Sequence, residues 1–235
     1  MIGQGSWNVF ENNMFATMPE GVRPGGLMLT KRLVDYCNFP QGARTVDMGC
    51  GTGTTVEYLQ DVRGLCAVGI DLSVALLAQG KERNADLRLI QCPGEGLPFT
   101  DHSVDGVLAE CSLSIMPNVS RVLDEINRIL IPGGKLGITD LYTQDRDCNF
   151  STCGATGIMT YDELSQVLAD HGFKIIVFED QSRLLREFVA GFIMAHGSAE
   201  KLWECVGRRS NDQKKQALGY YLLMAEKCHR KEGTP

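Results

Sequence analysis

Residues 47–53, Asp-Met-Gly-Cys-Gly-Thr-Gly, have the composition of a turn that binds a ligand through its backbone. Glycine at positions 49, 51 and 53 removes the side chain where the chain must turn sharply and approach a ligand closely. A helix that begins near Thr54 would point its free N–H groups and its positive end at that ligand, which favours a negatively charged group. The segment predicts a nucleotide-cofactor site, and the alternative is that these glycines only form a tight turn.

The spacing of the glycines discriminates between nucleotide cofactors. The dinucleotide fingerprint G-x-G-x-x-G would require glycine at position 54 or 56, where this chain has Thr54 and Val56. A phosphate-binding P-loop would require Gly-Lys-Ser or Gly-Lys-Thr, and neither follows the loop. NAD and FAD are therefore disfavoured, and a nicotinamide dehydrogenase stays an alternative that ligand binding can test.

Asp71 is the second candidate for ligand binding. It ends the predicted strand that follows the glycine loop, which is where a doubly wound fold places a carboxylate against ribose hydroxyls. One carboxylate can accept hydrogen bonds from both hydroxyls. Alternatively, Asp71 only caps the next helix, a role that Ser73 could share.

Strands that alternate with helices must position these residues. Short apolar runs, typical of parallel strands that are buried on both faces, occur at 45–48, 67–70, 87–90, 104–109 and 136–139. Two further runs, at 173–178 and 218–225, predict a sixth and a seventh strand. The sequence therefore predicts an α/β fold with a Rossmann-like, doubly wound sheet of seven strands.

Helical patterns lie between these runs. Apolar residues recur at helical spacing over 119–130, where Pro132-Gly133-Gly134 ends the element, and a capping box at 160–163 opens a second helix. Residues 184–215 are predicted to form a helical insertion between strands six and seven, with Phe188, Phe192 and Trp203 on an apolar face. This face would cover the acceptor side of the pocket or form a homodimer contact.

Length and composition limit the function classes. With 235 residues, 43% of them hydrophobic, the chain can form one sizeable domain over 1–235. Its parts are predicted as an N-terminal lid and helix at 1–44, a cofactor-binding core at 45–140, an acceptor loop at 141–159 and the insertion at 184–215.

Charge and cysteine content limit the partners and the compartment. Basic residues number 23 against 29 acidic ones, and they form no cluster that could follow a phosphate backbone, so nucleic acid is a poor candidate for the substrate. No leader-like or membrane-spanning stretch is found, and the nine cysteines lack Cys-x-x-Cys spacing. We therefore expect a cytoplasmic protein with reduced thiols and no membrane partner.

Four motifs in order, at 46–53, 69–71, 94–99 and 128–136, resemble those of class I S-adenosylmethionine-dependent methyltransferases. The similarity is to the small-molecule group, methyltransferase type 11, which includes quinone and arsenite methyltransferases. The resemblance implies S-adenosylmethionine as cofactor, a small-molecule methyl acceptor and a sheet whose last strand is antiparallel. The cofactor would lie over the ends of the first, second and fourth strands.

The resemblance also implies roles for individual residues. The methionine part of the cofactor would be held by Asp47 and by the backbone of Gly49, Cys50, Gly51 and Gly53. Asp71 would bind the ribose, and Leu72 would pack on the adenine. Glu110 and Cys111 would follow the fourth strand beside the sulfonium.

The adenine segment departs from the family pattern. Members often have Asp-Ala-Glu where this chain has Pro93-Gly94-Glu95, and a proline side chain cannot accept from the adenine amino group. Either Glu95 or a neighbouring carbonyl accepts instead, or packing and backbone contacts alone hold the adenine. We expect a loss of about 0.5–1.5 kcal/mol, the contribution of one hydrogen bond, and no change of cofactor.

Arg23 precedes the helix predicted at 27–37. Its guanidinium could bind the methionine carboxylate while residues 8–20 close over the site as a lid. The alternative is that Pro24-Gly25-Gly26 only starts the helix. His102, His171, His196 and His229 are too scattered for a predicted metal site.

The sequence predicts no catalytic residue, because methyl transfer from a sulfonium mainly requires that the acceptor atom be held close to the methyl carbon and that water be excluded.

The acceptor loop contains Cys148 and Cys153, and its Cys153-Gly154-Ala155 is similar to a cysteine segment of arsenite methyltransferases. Thiolates of Cys148 and Cys153, with Cys111 nearby, would be suitable ligands for a soft metalloid acceptor. The alternatives are an organic acceptor, such as a quinone-like ring or a thiol, and an accessory protein that binds the cofactor without turnover.

Overall fold

A computed structural model describes residues 23–144, 157–200, 202 and 218–228 of the chain. It contains seven strands: β1 (Arg44–Met48), β2 (Cys66–Asp71), β3 (Leu89–Gln91), β4 (Val104–Glu110), β5 (Leu130–Thr143), β6 (Phe173–Asp180) and β7 (Leu218–Lys227). The α-helices are α1 (Gly26–Cys37), α2 (Thr54–Glu57), α3 (Val74–Arg83), α4 (Val119–Ile129), α5 (Tyr161–Asp170) and α6 (Ser182–His196). A π-helical turn, Tyr58–Val62, continues α2, and a 3₁₀ turn, Leu113–Ile115, follows β4.

The strands form one sheet in the order β3-β2-β1-β4-β5-β7-β6. β1 pairs in parallel with both β2 and β4, while β7 is antiparallel to both β5 and β6. The predicted doubly wound sheet with an antiparallel last strand is therefore confirmed. Because β1 and β4 are neighbours, the residues at their carboxyl ends meet at one edge of the sheet.

Two apolar layers enclose the sheet, one on each face. One layer includes Val122, Ile126 and Leu168 from α4 and α5, and the other includes Leu29 and Leu33 from α1. Every residue of β4 except Asp105 is buried, as expected for a parallel strand that is covered on both faces.

Several predicted boundaries shift. β5 begins at Leu130, directly after α4, and contains the Pro132-Gly133-Gly134 that was predicted only to end the helix. The pairing of β4 with β5 changes register between Val104 and Gly106. β5 accommodates Pro132-Gly133-Gly134 at this irregularity. β3 begins at Leu89 and not at 87, since Leu87 closes a turn onto Asn84.

Two helices match their sequence signals. Thr160 and Glu163 form the predicted capping box of α5. α6 lies between β6 and β7 as predicted, with Phe192 buried. Most of the predicted insertion after residue 200, including Trp203, lies outside the described residues. Within the described part of the chain, the helices are too short or too polar to span a bilayer.

Candidate functional site

The glycine loop between β1 and α2 carries the predicted ligand-binding geometry. Gly49, Gly51 and Gly53 have φ values of 71°, 54° and 78°, which are strained for any residue with a side chain. A Cβ at Gly49 would lie 2.6 Å from that of Ser112, and one at Gly53 would lie 2.9 Å from Leu89. At Gly51 no atom of the described residues lies within 4 Å of that position, so within this part of the chain a ligand can contact the backbone there.

Asp71 fixes the loop to the end of β2. Its two carboxylate oxygens accept hydrogen bonds from the Gly51 and Ser73 amides, each at 2.8 Å. The Gly49 and Cys50 amides donate to the Ile70 carbonyl at 2.8 and 3.0 Å. A carboxylate has about four acceptor positions, so these bonds leave capacity for ribose hydroxyls. The structure thus brings Asp71 to the loop, and its ribose contact stays a prediction.

Ser73 performs the helix-capping role that was considered for Asp71. Its hydroxyl accepts from the Leu76 amide at 3.2 Å as the N-cap of α3. Asp71 supports this turn by accepting from the Ser73 amide.

Two acidic side chains lie buried at the carboxyl ends of β1 and β4. Asp47 is 3% exposed and Glu110 is 8% exposed. The Glu110 carboxylate accepts from the hydroxyls of Thr55 at 2.9 Å and Thr30 at 2.8 Å. These bonds connect β4 to α2 and to α1.

Arg23 completes this cluster. Its Nη2 lies 3.2 Å from Glu110 Oε1, and it donates to Thr30 at 2.7 Å and Thr55 at 2.8 Å. Burial alone would lower the pKa of Arg23, but the charges of Glu110 and Asp47 outweigh burial and raise it. Among the described residues, no group accepts from the buried Nε of Arg23. Arg23 therefore belongs to this buried cluster, and its contact with the methionine carboxylate stays a prediction.

The charge balance of the cluster favours a cationic ligand group. Burial, with repulsion from Glu110, raises the pKa of Asp47 to about 8, against the opposing effect of Arg23. Asp47 is therefore protonated in the ligand-free protein at neutral pH, and an ammonium group beside it would favour the carboxylate form by pairing with that charge. The ammonium and carboxylate of an amino acid have the charges to pair with Asp47 and Arg23, and the described residues leave space at Gly51 for the rest of such a ligand.

The predicted adenine side presents an apolar surface at the end of β2. Leu72 is 38% exposed there. The Pro93 carbonyl accepts from the Cys92 thiol at 3.2 Å and from the Gly96 amide at 3.3 Å, and the Glu95 carbonyl accepts from Arg121 at 3.1 Å. The Pro93 carbonyl thus already accepts twice, while the Glu95 side chain, a neighbouring carbonyl, or packing and backbone contacts alone stay the predicted alternatives for holding the adenine.

Gly94 is enclosed by apolar side chains. A Cβ there would lie 3.2 Å from each of Met48, Met116 and Val122. A larger residue would therefore have to displace them, so Gly94 allows the adenine segment to lie close to β1 and α4.

Cys111 follows β4 in a left-handed conformation, with φ 53°. Its amide donates to the Thr139 carbonyl at 2.7 Å, and its Sγ lies 2.9 Å from the Tyr220 hydroxyl, which donates to the Thr139 hydroxyl at 3.1 Å. Burial raises the pKa of both Cys111 and Tyr220, so both are neutral at physiological pH. Cys111 is thus a neutral thiol, and this disfavours its predicted role as a thiolate ligand of a metalloid acceptor.

The predicted acceptor cysteines, Cys148 and Cys153, lie outside the described residues. Among the residues that are described, no group of three His, Cys, Asp or Glu side chains could hold a metal ion.

Sequence reasoning missed Thr30, Thr55 and Tyr220. The first two are polar residues on buried helical faces, and such residues need hydrogen-bond partners. That pattern could have suggested Thr30, which lies among the apolar residues of α1, as part of a polar cluster.

Comparison with known proteins agrees with this geometry. A model described as "Methyltransferase domain" matches residues 46–138. The chain is 35% identical over 108 residues to a demethylmenaquinone methyltransferase of Renibacterium salmoninarum, over 46% of this chain and 45% of that protein. The match thus spans less than half of that relative. The chain is also 30% identical to the O-methyltransferase rstn1 of Aspergillus nomiae, over 65% of this chain and 73% of that protein.

The fold is also similar to that of solved structures. The crystal structure of the 4+2 cyclase SpnF superimposes with a TM-score of 0.69 at 25% identity, over 85% of this chain and 80% of that one. The similarity therefore extends beyond residues 46–138 to the greater part of the sheet and its helices.

Proposed function

Because this chain belongs to the class I S-adenosylmethionine-dependent methyltransferases, we propose that it transfers a methyl group from S-adenosylmethionine to a small-molecule acceptor. The observation that carries the proposal is the buried cluster of Asp47, Glu110 and Arg23 beside the open glycine loop. This cluster offers charges for both ends of an amino acid.

The described residues suggest how the cofactor is held. Asp47 would pair with the methionine ammonium, Arg23 would bind the carboxylate, and the backbone at Gly51 would contact the methionine part. Asp71 would accept from the ribose hydroxyls. Leu72 would pack on the adenine, whose amino group would donate to Glu95.

The bound cofactor supplies an electrophilic methyl group on a sulfonium. The protein's part is to hold the acceptor atom about 3–3.5 Å from that methyl carbon and to exclude water. Glu110 already has three partners, so we assign it to positioning Arg23 and not to removing a proton. Cys111 and Tyr220 are neutral and would form a polar, uncharged wall near the methyl group.

For the acceptor we favour an organic molecule with a phenolic or quinone-like ring. The two relatives are named for methylation of demethylmenaquinone and for O-methylation. The uncharged Cys111 and Tyr220 are compatible with a neutral ring. A metalloid acceptor bound by Cys148 and Cys153 is the alternative, and the neutral state of Cys111 counts against its participation.

An acceptor panel tests the proposal. The protein is incubated with labelled S-adenosylmethionine and arsenite, small thiols or phenolic and quinol rings. We expect label in a ring compound for the wild type and for Cys148→Ser with Cys153→Ser, and little for Asp47→Asn. Methylated arsenic that disappears in the double cysteine variant would favour the metalloid alternative.

A cofactor-binding protein that catalyses another reaction is the second candidate. It is favoured by the similarity to SpnF, a protein named as a 4+2 cyclase. Tight S-adenosylmethionine binding with no methyl transfer to any compound in the panel would support this candidate. Copurified S-adenosylhomocysteine would support methyl transfer instead.

The insertion that begins with α6 is proposed to cover the acceptor side or to form a homodimer contact. Leu185 and Phe192 are buried, whereas Ile193 and Met194 are exposed. Replacing Ile193 and Met194 by Ser should change either the oligomeric state in light scattering or the acceptor range. If neither changes, both proposed roles of this surface are wrong.

A further inference from the structure

Ser120, His171 and Asp124 form a hydrogen-bonded chain outside the residues assigned to the cofactor. Ser120 Oγ lies 3.0 Å from His171 Nε2, and Asp124 Oδ1 lies 2.8 Å from His171 Nδ1. Ser120 and Asp124 lie one turn apart on α4 and therefore share a face of that helix. His171, directly after α5, inserts its ring between them.

The position of His171 is fixed by its surroundings. Its carbonyl accepts from the Asn127 side chain at 2.9 Å, and its amide donates to Val167 at 3.2 Å. The side chain is 14% exposed, so the packing of α4 against the end of α5 restricts its rotation.

The hydrogen bonds define the protonation of the neutral imidazole. A carboxylate only accepts, so Nδ1 carries the proton and donates to Asp124. Nε2 then accepts from the Ser120 hydroxyl. A serine that donates to a histidine, which donates to a carboxylate, has the arrangement that activates a nucleophile.

The N-terminus of α4 can stabilise a negative charge next to Ser120. Asn118 caps the helix by accepting from the Arg121 amide at 3.0 Å, and its carbonyl accepts from Val122 at 3.0 Å. The amides of Val119 and Ser120 precede the first intrahelical bond and have no partner within the helix. These free N–H groups form the positive end of the helix dipole, where a negatively charged oxygen is stabilised.

We propose that Ser120, His171 and Asp124 form a second reactive centre, which cleaves small activated acyl esters. Ser120 Oγ forms a bond to the acyl carbon while its proton passes to His171 Nε2. The bond from that carbon to the leaving oxygen then breaks, and His171 returns the proton to this oxygen. Water, activated by His171, hydrolyses the acyl–Ser120 ester and regenerates the hydroxyl.

Asp124 limits the expected rate. Its side chain is 70% exposed, so solvent weakens the bond that orients His171. We therefore expect acylation of Ser120 that is faster than deacylation, seen as an initial burst.

Labelling with a fluorophosphonate probe tests the proposal, because this probe reacts with activated serines and not with thiols. We expect one adduct on the wild-type chain, located at Ser120 by peptide mass analysis. Ser120→Ala should lose it, and Asp124→Asn should react at least about tenfold more slowly. Ser103→Ala is the matched control, since Ser103 is a half-buried serine whose hydroxyl donates to a carbonyl, that of Thr100, at 2.6 Å.

p-Nitrophenyl acetate provides the second measurement. The wild type and Ser103→Ala should release a burst of nitrophenol that Ser120→Ala lacks, while thermal melts and S-adenosylmethionine affinity stay at wild-type values for both variants. Equal labelling of wild type and Ser120→Ala, or an adduct on another residue, would overturn the proposal. Ser120, His171 and Asp124 would then only link α4 to α5.

Discussion

The carboxyl group of Asp47 should make cofactor binding depend on pH. Burial and the charge of Glu110 raise its pKa to about 8, so below that pH the ligand-free protein keeps the carboxyl protonated. An ammonium group pairs with the carboxylate form, so binding must release this proton. Between pH 6 and pH 7 we therefore expect the affinity for S-adenosylmethionine to rise about tenfold.

Calorimetric titration in two buffers of different ionisation enthalpy measures the proton release directly. At pH 6–7 the wild type should release about one proton for each cofactor bound. Asp47→Asn keeps the size of the side chain and removes the titration, so its weaker binding should not change over this range. A wild-type affinity that is the same at pH 6 and pH 7 would contradict the assignment of Asp47 to the ammonium.

Asp71 should contribute to affinity through the ribose. Asp71→Ala removes a charged acceptor and should weaken S-adenosylmethionine binding by about 1.5–3 kcal/mol. Ser73→Ala is the control, because it removes the N-cap of α3 at a cost of about 1 kcal/mol of stability and leaves the Asp71 carboxylate in place. Titration of both variants should separate them, and equal affinities would remove the ribose assignment.

The sequence predicts these residues unequally well. The glycine loop and Asp71 are local signals, because a sharp turn needs glycine and a strand end needs a polar residue. The partners of Arg23 are not local: Glu110 lies on β4, far along the chain from α1. Only the packing of α1 over the sheet brings them together, so the sequence left two interpretations of Arg23 open.

At the scale of elements, α3 supports the glycine loop through a close contact. A Cβ at Gly80 would lie 2.4 Å from the Thr52 carbonyl oxygen, and backbone atoms cannot yield as a side chain can. We expect Gly80→Ala to destabilise the protein by about 1–3 kcal/mol, although alanine favours helices, and to weaken S-adenosylmethionine binding by displacing the loop.

Gly191→Ala is the matched helical control. Among the described residues, no atom lies within 4 Å of its Cβ position in α6, so this substitution should stabilise the protein by about 0.5–1 kcal/mol. Urea unfolding measures both effects. If Gly80→Ala were as stable as Gly191→Ala, the close contact between α3 and the loop would be absent in solution.

The predicted elements succeed where one physical signal dominates. β4 was predicted correctly because both of its faces are buried, and α5 because its capping box marks its first turn. β5 was predicted too short, since Pro132-Gly133-Gly134 has the composition of a break. β4 pairs with Leu130 before these residues and with Lys135 after them, so the strand continues past them, and a local stretch of sequence does not show this pairing.

At the scale of the whole molecule, the site joins segments that are distant in the chain. Arg23 precedes α1, Asp47 is the last but one residue of β1, Asp71 ends β2 and Glu110 ends β4. A bound ligand that contacts these residues therefore links most of the central sheet to α1. Unfolding the sheet must release the ligand, so binding should stabilise the entire described fold and not one element of it.

Thermal unfolding can thus distinguish between cofactors. At a concentration of one hundred times its dissociation constant, a ligand that binds only the folded state adds about 2.7 kcal/mol of stability. For a protein of this size we expect S-adenosylmethionine to raise the melting temperature by about 5–10 °C. NAD at the same concentration should leave it unchanged, because the loop lacks the dinucleotide glycine spacing. Stabilisation by NAD and none by S-adenosylmethionine would contradict the cofactor assignment, whereas stabilisation by S-adenosylmethionine that is reduced in Asp47→Asn would connect it to the buried charge cluster.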